Sequence, residues 1–187
     1  MLYLRDNIND TYGCSADIRS VSEDASKPIR TFSIRMVKSN SKLENGQIVV
    51  NIPNVRKPVP LFILMRAWGV ISDKEILKYC LLDLEKNESY MELFIPSIHD
   101  ASRFFSQVVC LKYISTFTKS KTIPNVIDIL TNYLLPHIGE MNFKNKALYI
   151  GYMVKQMLDV YKKIKKPTDR DNFKYKRCLL YTSPSPR

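Results

Sequence analysis

The stretch KPVPLFILMRAWGVISDKEIL, from Lys57 to Leu77, decides the fold, because the hydrophobic period changes inside it. Upstream, RTFSIRMVK puts Phe32, Ile34 and Met36 on one side and Ser33 and Arg35 on the other, the period of two of a half-buried strand. QIVVNIP reads as a second strand and SADIRSVS as a third, with NSKLENG supplying turn residues between the two clear ones. Within the stretch, Pro58 and Pro60 suit a helix start, the apolar face runs through Leu64, Ala67 and Trp68, and Gly69 is placed to end it. Ser72 and Glu75 then form an S-x-x-E capping box ahead of Ile76, Leu77, Cys80 and Leu81. The fold class expected is α+β: a small antiparallel sheet near the N-terminus followed by a mostly α-helical bundle.

Downstream, helical spacing continues near residues 89–95 and 98–117. It resumes from Ile123 to Leu135, where Val126, Ile127, Leu130, Tyr133 and Leu134 make an apolar stripe ahead of Pro136. The longest helix is expected over Ala147 to Ile164. There Ile150, Met153, Met157, Val160 and Ile164 recur at intervals of three and four, Val154, Leu158 and Tyr161 widen the face, and Pro167 stops the helix. These methionine and aromatic positions are expected to be core.

The chain has 187 residues, 45% of them hydrophobic, with only five glycines. A chain of that size buries roughly 70% of its unfolded surface, so it is expected to hold one domain with a real core. The longest apolar runs, such as VPLFILM, are far too short to cross about 30 Å of hydrocarbon, so no membrane partner is expected. The formal charge of +11 points to a polyanion or an acidic protein surface as partner. From Lys162 to Arg177 there are eight basic residues against two aspartates, so much of that excess is local.

Recognisable catalytic chemistry is missing from the sequence. No glycine-rich phosphate loop and no G-x-S-x-G elbow occur. Cys14, Cys80, Cys110 and Cys178 form no C-x-x-C pair, and neither His99 nor His137 has a cysteine at zinc-finger spacing, so no structural metal is expected. Cys80 and Cys110 fall in apolar helical patterns that suit buried thiols in a reducing compartment. Asp169 and Asp171 flank an arginine, a pattern of ion pairing rather than of Mg²⁺ binding. His99 beside Asp100 lacks a third group, and His137 near a helix end suits a structural contact with terminal carbonyls. The residues by themselves support a basic α+β domain with no autonomous active site.

Several blocks in order resemble the second-largest subunit of multisubunit DNA-directed RNA polymerases, of the eukaryotic or large-DNA-virus type. ADIRS, at Ala16 to Ser20, resembles an A-E-I-R-S strand. Lys57 to Leu77 resembles [KQ]-x-[IV]-P-[IL]-x-[IV]-x-[FM]-R-A-[LW]-G-[IVF]-x-[SP]-D-x-[ED]-I-L, with Arg66, Ala67, Gly69, Asp73, Ile76 and Leu77 in place. LFIPSIHDA and CLKYI are weaker echoes, ILTNYLLPHIG resembles I-L-x-x-x-[FL]-L-P-H-[IV], and KALYIGYMVKQML resembles K-A-x-[FY]-x-G-Y-M-[IV]-x-[RK]-[LM]-L. DRDNFKYKR is similar to D-R-D-H-[FY]-G-[NK]-K-R, with Asn172, Lys174 and Tyr175 departing from it. After Arg177 the family continues Leu-Asp-Leu-Ala-Gly, whereas this chain reads CLLYTSPSPR.

The resemblance implies a division of the chain into residues 1–14 as the exit from a preceding protrusion region, 15–177 as the lobe domain, and 178–187 as a non-native or misread tail. It implies a lobe that forms part of one side of the DNA cleft and docks initiation factors, inside a nucleotidyltransferase whose catalytic Mg²⁺ lies outside this fragment. No catalytic residue, cofactor or metal site is expected here. The implied partners are other polymerase subunits, chiefly the largest, together with DNA and transcription initiation factors, in a nucleus or, for a viral chain, a virus factory or virion. Lys162, Lys163, Lys165 and Lys166, with no acidic residue among them, are the phosphate-contact candidates together with Lys174. Asp169, Arg170, Asp171, Lys176 and Arg177 read as a structural seam whose charges pair with one another. The alternatives are a free-standing basic nucleic-acid-binding module and a helical protein-interaction domain.

Overall fold

The computed structural model describes residues 2–19, 31–38, 46–139 and 141–168. Five strands form one antiparallel sheet in chain order: β1 (Leu2–Arg5), β2 (Tyr12–Arg19), β3 (Thr31–Val37), β4 (Ile48–Asn51) and β5 (Val59–Pro60). Their register brings Leu4, Ala16, Ile34, Val50 and Val59 side by side across all five strands, and every one of them is buried. That apolar row is the half of the period-two pattern that was expected.

The other face departs from the expectation. Ser15, Asp17 and Ser33 are buried too. Two of them meet polar side chains across strands, Asn51 Nδ2 donating to Ser33 Oγ (3.0 Å) and Arg5 lying 3.6 Å from Asp17, whereas the Ser15 hydroxyl is buried without a hydrogen-bond partner. β1 extends the sheet beyond the three upstream strands read from sequence. Most of the expected NSKLENG turn, residues 40–45, lies outside the described residues, but its final Gly46 has φ 56°.

Helices follow: α1 (Leu61–Ala67), α2 (Asp73–Leu81), α3 (Glu88–Met91), α4 (Ile95–Ala101), α5 (Gln107–Ser115), α6 (Ile123–Asp128) and α7 (Phe143–Tyr161). Pro60 is the N-cap of α1, and Gly69 (φ 94°) closes the helix as expected, with its N–H on the Arg66 carbonyl (3.0 Å) and the Val70 N–H on that of Met65 (3.1 Å). Ser72 does stand at the N-cap of α2, but the capping box does not form. The Ser72 side chain makes no cap bond, and Glu75 instead accepts from the Tyr79 hydroxyl (2.8 Å) one turn along. Asp73 and Glu75 still place two carboxylates in the first turn, where the helix dipole favours them.

The expected single helix over 98–117 is broken between α4 and α5. The helix expected over 123–135 begins as α6 and widens into a π turn at Ile129–Tyr133, where the Leu134 N–H reaches back to the Ile129 carbonyl (3.1 Å). α7 lies against β1 and β2 on one side and α2 on the other, so it joins the sheet to the bundle. Its close approach to α2 depends on Gly151, because a Cβ there would fall inside the Tyr79 carbonyl group.

Candidate nucleic-acid interface

α7 ends three residues earlier than its apolar spacing suggests. Lys163 takes the left-handed conformation (φ 57°), its N–H bonds the Val160 carbonyl (2.9 Å), and the Ile164 N–H bonds that of Asp159 (2.9 Å). This is the closure seen after α1, with a lysine where the first helix has glycine. Ile164 is therefore thrown out of the apolar face and is 65% exposed, and Tyr161 is exposed as well; both had been expected in the core.

The lysines at this exit divide into two kinds. Lys162 Nζ donates to the carbonyl (2.7 Å) and Oγ (2.8 Å) of Ser89 and lies 3.9 Å from the Tyr90 ring centre. Lys165 Nζ lies 3.0 Å from Asp159 Oδ2 and donates to Gln156 Oε1 (2.8 Å). Lys155 joins the same group, 3.0 Å from Asp159 Oδ1 and 3.5 Å from the Tyr90 ring centre, and the Tyr90 hydroxyl donates to Asp159 Oδ1 (2.9 Å). Burial pushes the Asp159 carboxyl up, but the bonds from Lys155, Lys165 and Tyr90 outweigh it and leave the group below the ordinary aspartate value.

The expectation that all four lysines stand clear of acids is thus corrected: two are engaged within the molecule, one of them by Asp159. Sequence reading missed Asp159 and Tyr90, although Lys155 and Asp159 show i,i+4 charge spacing. Lys163 and Lys166 are exposed, with no ion pair among the described residues. The remaining proposed positions, Asp169, Arg170, Asp171, Lys174, Lys176 and Arg177, lie outside the described residues, as does the tail 178–187. The last described residue, Thr168, is bonded in both directions to β1. The Leu4 N–H donates to Thr168 Oγ1 (2.6 Å), and the Thr168 N–H donates to the Leu4 carbonyl (3.0 Å).

The sequence blocks that carry the resemblance are structural joints. Arg66 is 1% exposed, and its guanidinium donates to the carbonyls of Ala101 (2.5 Å) and Phe104 (2.8 Å) and pairs with Asp73. It thereby holds the last carbonyl of α4 and that of Phe104 in the turn beyond it, tying α1 to the place where the chain breaks before α5. Lys146 is 0% exposed and donates to the carbonyls of Leu130 (3.1 Å) and Thr131 (2.6 Å), two groups of the π turn.

His99 and Asp100 lie in the last turn of α4 rather than at a helix start. His99 is exposed, while Asp100 keeps one buried oxygen without a hydrogen-bond partner, and burial pushes its carboxyl up despite the pull of His99. The described cysteines, Cys14, Cys80 and Cys110, are buried thiols; burial pushes Cys80 up to about 12 and, with the Asp6 carboxylate, does the same to Cys14. Among the described residues no group of three or more His, Cys, Asp or Glu side chains is placed to hold a metal ion, and no helix is long and apolar enough to cross a membrane.

Residues 18–179 match the family model described as RNA polymerase Rpb2, domain 2. The chain is 38% identical over 178 residues to DNA-directed RNA polymerase II subunit RPB2 of Encephalitozoon cuniculi, covering 91% of this chain and 15% of that protein. It is 33% identical over 180 residues to DNA-directed RNA polymerase II subunit 2 of Arabidopsis thaliana, covering 90% and 15%, and 30% identical over 157 residues to DNA-directed RNA polymerase subunit Rpo2 of Saccharolobus solfataricus, covering 80% and 14%. The chain thus spans about one seventh of the length of the relatives it matches. A sheet-and-bundle domain whose joints are Arg66, Lys146 and Gly151, matched across nearly its whole length, belongs to the RNA polymerase Rpb2 domain 2 family of second-largest polymerase subunits.

Proposed function

We propose that this chain works as the lobe of a DNA-directed RNA polymerase, lining one side of the DNA cleft and offering a platform to initiation factors, without a catalytic group of its own. The parent nucleotidyltransferase would hold its Mg²⁺ on other regions, and the largest subunit would be the principal partner, in the nucleus. The observation that carries the cleft reading is the pair of exposed lysines, Lys163 and Lys166, beyond α7, next to two lysines already committed to internal bonds. Lys163 stands in a left-handed position where glycine is the less strained choice, so its side chain is retained at a conformational cost. Cations so placed guide a duplex by its phosphates without reading sequence.

In the assembled enzyme, replacing Lys163 and Lys166 with glutamine is expected to lower duplex affinity and to reduce the salt slope by roughly 2, at about 0.9 per phosphate contact. Lys163→Gly is expected to lower affinity while leaving the melting temperature unchanged or higher. An unaltered salt slope in both variants removes the cleft role of this exit.

A further inference from the structure

Two loops far apart in sequence are pinned together at the surface. Val55 and Thr118 form an isolated antiparallel bridge, the Arg56 N–H donates to the Phe117 carbonyl (3.0 Å), and Lys57 Nζ lies 5.6 Å from the Phe117 ring centre. Both loops are held in defined turns. Asn54 (φ 65°) and Lys121 (φ 52°) take left-handed conformations, Thr118 Oγ1 donates to the Ser115 carbonyl (2.8 Å), and that same oxygen accepts the Lys121 N–H (3.2 Å). The result is a joint surface carrying Arg56, Lys57, Lys119 and Lys121, all exposed and none in an ion pair among the described residues.

The surface is also shaped. A cleft of about 380 Å³ opens between the loops, lined by Asn54, Arg56, Lys119, Ser120 and Asn125 together with Asp128, Ile129 and Tyr133. Asp128 accepts from Asn132 Nδ2 (2.7 Å) and forms no ion pair with the four cations among the described residues. Guanidinium, ammonium, amide and hydroxyl groups around one open cleft are the donor set that grips phosphate oxygens. An acidic protein segment would meet the same charge, and Ile129 and Tyr133 add apolar surface to the cleft; what favours a phosphate backbone is the close spacing of four cations with amide and hydroxyl donors beside them.

We propose that Arg56, Lys57, Lys119 and Lys121 form a second nucleic-acid contact, taking the sugar–phosphate backbone of a duplex independently of sequence. It rests on the DNA-contact reading for its ligand class but not for its residues, which are separate from the α7 exit.

The test measures binding of a short labelled DNA duplex to the 187-residue chain across a salt series, for the wild type, the fourfold glutamine variant, the pairs R56Q/K57Q and K119Q/K121Q, and K163Q/K166Q. The fourfold change is expected to reduce the salt slope by roughly 3 to 4 and each pair of this patch by roughly 2, with the wild-type melting temperature retained. If the fourfold variant fails to fold, the two pairs decide. Unchanged slopes in both pairs overturn the proposal. Loss confined to K163Q/K166Q also overturns it and leaves the cleft reading standing, while loss confined to the new patch supports it and discards the α7 exit instead. Poly-glutamate that competes as well as unlabelled duplex overturns it in favour of an acidic protein partner.

Discussion

At the scale of single residues, Asp159 shows how charge can be structural inside a basic protein. Its carboxylate gathers Lys155, Lys165 and the Tyr90 hydroxyl, and so fixes the end of α7 against α3. Because the folded group sits below its unfolded value, the unfolded chain takes up the proton first. The stability that Asp159 contributes is therefore complete above the ordinary aspartate pKa of about 3.9 and is lost as the pH falls through the lower folded value. Asp159→Asn is expected to lower the urea midpoint near neutral pH, with the difference from wild type shrinking below about pH 4. A constant difference down to strong acid would show that packing, not charge, accounts for the loss. The composition of the lysine-rich stretch was plain in sequence, but which lysines are spent internally was not, because Ser89 and Tyr90 come from a helix some seventy positions away.

At the scale of elements, the period-two and helical patterns predicted β2, β3 and β4 and most helix starts, because one face of each element packs on the core, but not the short edge strands β1 and β5. Helix ends were legible only where the closing residue was glycine. Gly69 announced the end of α1, whereas Lys163 closes α7 in the same geometry with a residue that gives no such signal. The break between α4 and α5 was likewise hidden, and the guanidinium bonded there is supplied by α1. The α2–α7 contact rests on a missing side chain: Gly151→Ala must push α7 away from the Tyr79 carbonyl. It is expected to destabilise the domain by about 1–3 kcal/mol, the range for overpacking a tight contact. Chemical denaturation would measure it, and a neutral result would mean that the two helices slide apart without cost. Alanine is the better helix former, so a destabilising outcome cannot be assigned to propensity.

At the scale of the whole molecule, the excess positive charge divides between the α7 exit and the loop pair at Arg56 and Lys119. Sequence reading found the first as a run and missed the second, because Arg56 and Lys119 are 63 positions apart in the chain and are brought together by the Val55–Thr118 bridge and the contacts to Phe117. The proposed seam at Asp169, Arg170, Asp171, Lys176 and Arg177 would begin where Thr168 is bonded to Leu4. Replacing Arg170 or Asp171 with alanine is expected to lower the melting temperature of the chain, and a silent substitution in calorimetry would discard the seam.

The bond pair between Leu4 and Thr168 has a further consequence for any longer polypeptide that carries this domain. Leu4 and Thr168 meet in one hydrogen-bonded doorway, so in such a polypeptide the domain would hang as a pendant rather than stand in line as a link. A pull along such a chain would load that doorway and the β1–β2 pairing beside it before it reached the helical bundle. By the same geometry, exchanging residues 5–167 for a short glycine-serine turn should leave the flanking regions at nearly their original separation.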